Sequence, residues 1–195
     1  MESREQQILR IAGKLFGTIG FDRTSLRQIA EETGITKAAL YYYFPDKETL
    51  YDRVVLDALT NLTDYVKGRV EEQSTPSARL QAFILGMAEF MDQDRDSWMA
   101  GSNTFWSDQD RERRQRAIAA RDHFEQQLRQ IIEDLIAEGT WRPVNARLAT
   151  RMLLSAMNQI PRWHRKDGPL SAVDVAKEYL ELFTESIHAD PQQHA

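Results

Sequence analysis

Between Thr24 and Lys47 the chain reads TSLRQIAEETGITKAALYYYFPDK, a stretch rich in hydroxyls, phenols and cations. Thr24, Arg27, Thr36, Lys37, Tyr41, Tyr42 and Lys47 offer donors that suit phosphate oxygens and base edges. Ala38 and Ala39 are small enough to let a backbone come close to a base edge or a thymine methyl. Asp46 can cap a following helix, which would put Lys47 beside a helix N-terminus, where charge and backbone amides together hold a phosphate. The chemistry is that of gripping a nucleic-acid duplex.

Two helices must position these groups. Thr24 is a natural N-cap for a helix whose apolar Leu26, Ile29 and Ala30 recur at i, i+3 and i+4. Gly34 supplies the positive φ of a sharp helix end, and Thr36 can cap the second helix. On that helix, at 100° per residue, Leu40, Tyr43 and Phe44 share a side predicted to pack on the first helix. Ala38 and Tyr42 then point away, flanked by Lys37 and Tyr41, and Pro45 stops the helix. The arrangement is a helix-turn-helix.

Gly20, Phe21, Thr24, Ser25, Ile29, Ala30, Gly34, Ile35, Thr36, Leu40, Tyr41, Tyr43, Phe44, Lys47 and Leu50 fall where TetR-type (TetR/AcrR) bacterial transcriptional regulators carry their DNA-binding motif. The segment Gly20 to Leu50 resembles that family's DNA-binding domain. Two positions depart from it: Thr33 stands where the family usually has Ala, and Tyr43 where His is commoner. The resemblance implies an all-α fold, with a three-helix helix-turn-helix domain in residues 1–50 and a helical ligand-binding and dimerisation domain in residues 51–195. It also implies a homodimer that represses from a palindromic double-stranded DNA operator and is released by a small-molecule effector. No cofactor is implied.

The rest of the chain reads as more helices. Ile8, Ile11, Ala12, Leu15, Phe16 and Ile19 make an amphipathic brace ending at Gly20. From Asp46 the apolar pattern runs without proline to Pro76, which predicts one helix of about 25 residues leading out of the reader. Thr75 and Pro76 open another helix, closed by the acidic run at 92–96. Residues 107–110 read as a capping box for a long helix terminated by Gly139, and Asn145 can cap the next. Pro161 predicts a kink or early end near 157–161. A capping box at Ser171 and Asp174 opens the last helix, and DPQQHA reads as a frayed tail. The last two helices are apolar over wide arcs, as a two-chain four-helix bundle would require.

Candidate effector contacts are Phe83, Met87, Phe90, Trp98, Phe105, Trp106, Met152 and Met157, because Met and aromatic side chains line adaptable apolar cavities. Ordinary core packing is the competing reading. Pro161 to Ser171, PRWHRKDGPLS, resembles a signature of a family branch whose members include sensors of fatty-acyl or steroid-derived coenzyme A thioesters. Here Arg162, Arg165 and Lys166 could hold phosphates while Trp163 stacks on an adenine; a basic turn with Trp163 anchoring a dimer explains the same residues. His164 takes the place of an expected Tyr.

Composition limits the alternatives. No cysteine is present, so disulfides and thiolate-bound zinc are excluded, and the four histidines (123, 164, 188 and 194) lack metal-ligand spacing. No phosphate-cradling Gly loop or paired catalytic carboxylate emerges, so an enzyme is not expected. The start MESREQQ lacks a signal peptide's apolar core and no apolar run approaches a membrane span, so a cytoplasmic protein without a membrane partner is expected. The net charge is −5; residues 1–53 carry eight Lys/Arg and eight Asp/Glu, so the acidic excess lies beyond a neutral reader. A drug-sensing regulator of an efflux pump and a helical dimer with a vestigial reader are the alternative functions.

Overall fold

A computed structural model describes residues 2–93, 95, 98, 99, 111–165 and 167–188, with backbone alone for 111–114, 116 and 117. Among the described residues there are eight helices: α1 (Arg4–Ile19), α2 (Leu26–Thr33), α3 (Lys37–Tyr43), α4 (Lys47–Glu71), α5 (Pro76–Gln93), α6 (Arg111–Ala137), α7 (Ala146–Trp163) and α8 (Ala172–Ile187). The fold is all-α, as expected.

The chain divides by packing into two compact units. One holds the residues up to Asn61 together with later residues up to Ala120; the other holds Leu62–Gln93 and the residues from Arg121. Helix α4 is therefore shared between them, as its unbroken apolar pattern requires.

The first unit is built on one core. Ile8, Leu9, Ala12 and Phe16 of α1 meet Ile29 and Ala30 of α2, Leu40 of α3, Phe44, and Leu50, Tyr51, Val54 and Val55 of α4. Burying each large apolar side chain of this set contributes about 1.5–3 kcal/mol before chain entropy is subtracted. A capping box between Ser3 and Gln6 opens α1, and Gly20, at φ 86°, closes it. The Oδ1 of Asp46 accepts from the Thr49 N–H, so the predicted cap at the head of α4 is present.

In the second unit α8 packs on α5 and α7, and α5 also meets α7. Phe83, Ile84, Met87 and Met91 of α5 are buried, as are Phe124, Leu128, Ile132 and Leu135 of α6. The Phe83 and Phe124 rings meet at 4.8 Å. Thr75 caps α5 through the Ala78 N–H, with Pro76 in the first turn. Gly86 lets α4 come close: a Cβ there would stand 3.3 Å from Arg69 Cδ. Across that approach Glu89 accepts from Tyr65 Oη at 3.0 Å and from Arg69 Nη2 at 3.0 Å.

One reading needs correction. Pro161 does not end α7, which runs on to Trp163 and is capped by the His164 N–H donating to Ile160 O. A proline in the last turn forfeits one hydrogen bond without a following helix to break, and Pro161 is buried there. Gly139 (φ 76°) ends α6 as expected, and beyond it Trp141 is buried against Phe183 at 5.7 Å and pairs with His188, while the Arg142 N–H donates to Ile187 O. Helix α5 ends at Gln93, within the acidic run at 92–96, and the capping box at 107–110 and the DPQQHA tail lie outside the described residues. Among the described residues no helix is long and apolar enough to cross a membrane.

Candidate nucleic-acid interface

The geometry begins with the caps. Ser25, not Thr24, is the N-cap of α2, its Oγ accepting from the Gln28 N–H at 3.2 Å. The Ser-x-x-Gln spacing of Ser25 and Gln28 is the sequence signal that marks this start. Gly34 adopts φ 71°, ψ 33°, so the Ile35 N–H reaches Ala30 O and the Gly34 N–H reaches Glu31 O. That pair of bonds satisfies carbonyls the helix end would otherwise leave open. Thr36 then caps α3 by accepting from the Ala39 N–H at 3.1 Å. Thr33, the departure from the family pattern, is buried with its hydroxyl donating to Ile29 O.

Helix α3 is held from beneath by Leu40, which has no exposed surface, and by Phe44 just beyond it. The opposite side is open. Tyr42 is 86% exposed and Tyr41 44%, with Thr36, Lys37 and Ala38 also exposed and Ala39 half-buried. The Lys37 Nζ lies 5.5 Å from the centre of the Tyr41 ring. Tyr43, expected with the buried set, is 39% exposed and meets Tyr42 edge-on at 5.4 Å. At 100° per residue Tyr43 lies on the border between the two faces, and seven residues are too few to bury a third large side chain.

Three flanking residues take different roles. Arg27 is exposed on α2, and its Nε donates to Glu31 Oε1 at 2.8 Å. That hydrogen bond, followed by the charge of Glu31, raises the guanidinium pKa. Thr24 is 1% exposed and its hydroxyl donates to Gly20 O at 2.8 Å, so its side chain is turned into the fold. Lys47 is half-buried, its Nζ donating to Phe21 O at 2.9 Å and Thr24 O at 3.1 Å. The Nζ expected to grip a phosphate is engaged here by two backbone carbonyls that converge where α4 begins.

The effector candidates separate by burial. Phe83, Met87 and Met157 are buried, Trp98 is 7% exposed, and Phe90 is half-buried against Tyr65 at 5.8 Å. Met152, by contrast, is 65% exposed, beside Leu148 at 62% on the outer side of α7. It sits one residue before buried Leu153, which turns it about 100° off the inner stripe. Arg162 is exposed and Trp163 52% exposed in the last turn of α7. Phe105, Trp106 and Lys166 lie outside the described residues. His164 is buried, with Nε2 2.7 Å from Leu170 O, so it ties the following loop back to α7. No sequence signal short of that six-residue spacing marks the tie.

Residues 8–54 match the model for "Bacterial regulatory proteins, tetR family", and residues 73–187 that for "Tetracyclin repressor-like, C-terminal domain". The HTH-type transcriptional repressor KstR2 of Mycobacterium tuberculosis (strain ATCC 25618 / H37Rv) is 27% identical over 192 residues, covering 93% of this chain and 92% of the repressor. The crystal structure of the TetR family transcriptional regulator PfmR from Thermus thermophilus shares 33% identity at a TM-score of 0.84, over 91% of this chain and 97% of PfmR. AibR, solved in complex with isovaleryl coenzyme A and operator DNA, has the same fold: TM-score 0.85 at 22% identity, over 92% of this chain and 97% of AibR. An open cationic and phenolic face on a short second helix, set on a buried core and followed by a helical second unit, belongs with these matches: the chain is a member of the tetR family of bacterial DNA-binding transcriptional regulators.

Proposed function

We propose that the protein is a repressor that grips a palindromic operator as a homodimer in the cytoplasm and is released by a small apolar effector, an acyl-CoA being the best-supported class. The observation that carries this reading is the outward face of α3. Tyr42, Tyr41 and Lys37 expose phenols and a cation that no internal packing explains. With Thr36, Ala38 and Ala39 they form the base-reading surface, and Arg27 passes from Glu31 to the duplex beside it.

Residues 1–50 act as the reader and residues 51–195 as the effector and dimer domain, with α4 common to both. Phe83, Met87, Phe90, Trp98 and Met157 are the effector contacts. Exposed Arg162, Trp163 and Arg165 suit the phosphates and adenine of coenzyme A, and AibR, of the same fold, was solved holding such a thioester. Effector binding lowers operator affinity by favouring the state in which two readers no longer match the half-site spacing. The test is a shift assay on DNA flanking the protein's own gene, with and without a long-chain acyl-CoA. Selective binding relieved by the thioester supports the reading. Selective binding that ignores it removes the acyl-CoA and keeps the regulator.

A further inference from the structure

Lys47 is the first residue of α4, yet its ammonium is engaged 26 and 23 residues earlier in the chain, at Phe21 O and Thr24 O. It also lies 4.2 Å from the centre of the Phe21 ring. Both carbonyls belong to the turn between α1 and α2, and Thr24 immediately precedes Ser25, the N-cap of α2. The same turn is tightened from within: the Thr24 N–H donates to Phe21 O, and the Thr24 hydroxyl to Gly20 O. Beneath it the Phe21 ring meets Phe16 of α1 at 5.7 Å and Tyr51 of α4 at 4.7 Å.

An ammonium has three donors, and two are committed here to backbone carbonyls. A charge-assisted hydrogen bond is about twice as strong as a neutral one, so this cation holds both ends of the Phe21–Thr24 turn against the head of α4. Moving α4 therefore moves the cap of α2, and α2 carries α3 through the Gly34 turn. We propose that Lys47 is a positioning residue for DNA recognition: it registers α2 and the recognition helix on α4. This rests on the operator-binding reading above.

The experiment compares full-length wild type with Lys47→Met on two duplexes, the gene's own flanking DNA and an unrelated sequence of equal length, across a salt series. The expected result is a loss of affinity for the flanking duplex of about tenfold, on the scale of one hydrogen bond, with affinity for the unrelated duplex unchanged. The salt slope also stays unchanged. Equal losses on both duplexes with a slope shallower by about 0.9 would make Lys47 a phosphate ligand and overturn the proposal. So would no change on either duplex. A general weakening of the fold lowers both affinities together, so only the selective loss marks positioning.

If wild type itself does not distinguish the duplexes, the operator reading fails, and hydrogen exchange then decides the clamp alone. Faster exchange at the Thr24 amide in Lys47→Met, with α1 protection retained, is expected; unchanged Thr24 protection overturns the clamp. Phe21→Leu, which keeps the Lys47 charge, gives the same selective loss at the same slope and stands in should Lys47→Met not fold.

Discussion

In the proposed reading, Tyr42 is the residue on which recognition turns. Its side chain is 86% exposed and meets the Tyr43 ring edge-on, so removing it costs the fold little, within about 0.5 kcal/mol. Tyr42→Ala is expected to abolish selective operator binding while denaturant unfolding and dimer mass stay as in wild type; loss of the dimer as well would contradict this division of labour. Gly34 makes the opposite kind of contribution. At φ 71°, with nothing within 4 Å of an added Cβ, Gly34→Ala meets no clash, only backbone strain of about 1–2 kcal/mol. A urea midpoint lowered by that amount, with an unchanged m-value, is the expected result. Both residues are legible in the sequence, because an aromatic opposite a buried stripe and a glycine at a helix end have few other uses. Lys47 is legible only as a cation near a helix N-terminus; the carbonyls it grips are brought to it by tertiary packing, which no local pattern encodes.

At the scale of elements, caps and apolar periods carry most of the fold. Thr36, Asp46, Thr75, Asn145 and Ser171 each cap the helix that follows, as the sequence predicts. The failures have one physical origin, the weakness of local signals at borders. Ser25 displaces Thr24 because adjacent hydroxyl residues compete for one N–H, and Pro161 sits so close to a helix end that its penalty is small. The capping box of α8 gives a test in pH. The Ser171 hydroxyl donates to Asp174 Oδ2 at 2.7 Å and the Ser171 N–H at 3.0 Å, and these bonds, in that order, lower the Asp174 pKa. Since the folded value is depressed, this stabilisation is fully present above the ordinary aspartate value of about 3.9 and is lost as pH falls through the lowered one. Ser171→Ala should lower the melting temperature at neutral pH by roughly 2–4 °C. The gap between variant and wild type should narrow in acid, which calorimetry at the two pH values would read.

For the whole molecule the decisive feature is what the single chain leaves uncovered. Leu148 and Met152 on α7 and Leu182 on α8 are each more than 60% exposed, although the same helices bury Leu153, Met157, Val175 and Phe183. Wide apolar arcs announce two packed sides, but which residues lie on the outer one depends on helix phase, and Met152, an effector candidate in the sequence, lies there. A second copy of the chain covers this face in the proposed dimer. Leu182→Asp puts a carboxylate into that interface and is expected to weaken dimerisation at least tenfold, on the order of 1.4 kcal/mol, with little change in helix content. Sedimentation equilibrium would read the shift, and an unaffected dimer would move the interface elsewhere. Operator binding should fall with dimerisation, because one reader alone holds too few contacts.

The most direct measurement is a footprint of the wild-type protein on DNA flanking its own gene, with Tyr42→Ala beside it. Two protected half-sites related by a dyad, spaced about one helical turn or a little more and absent with the variant, are the expected result. Protection that is uniform along the DNA, or that survives Tyr42→Ala unchanged, would contradict recognition through the exposed face of α3.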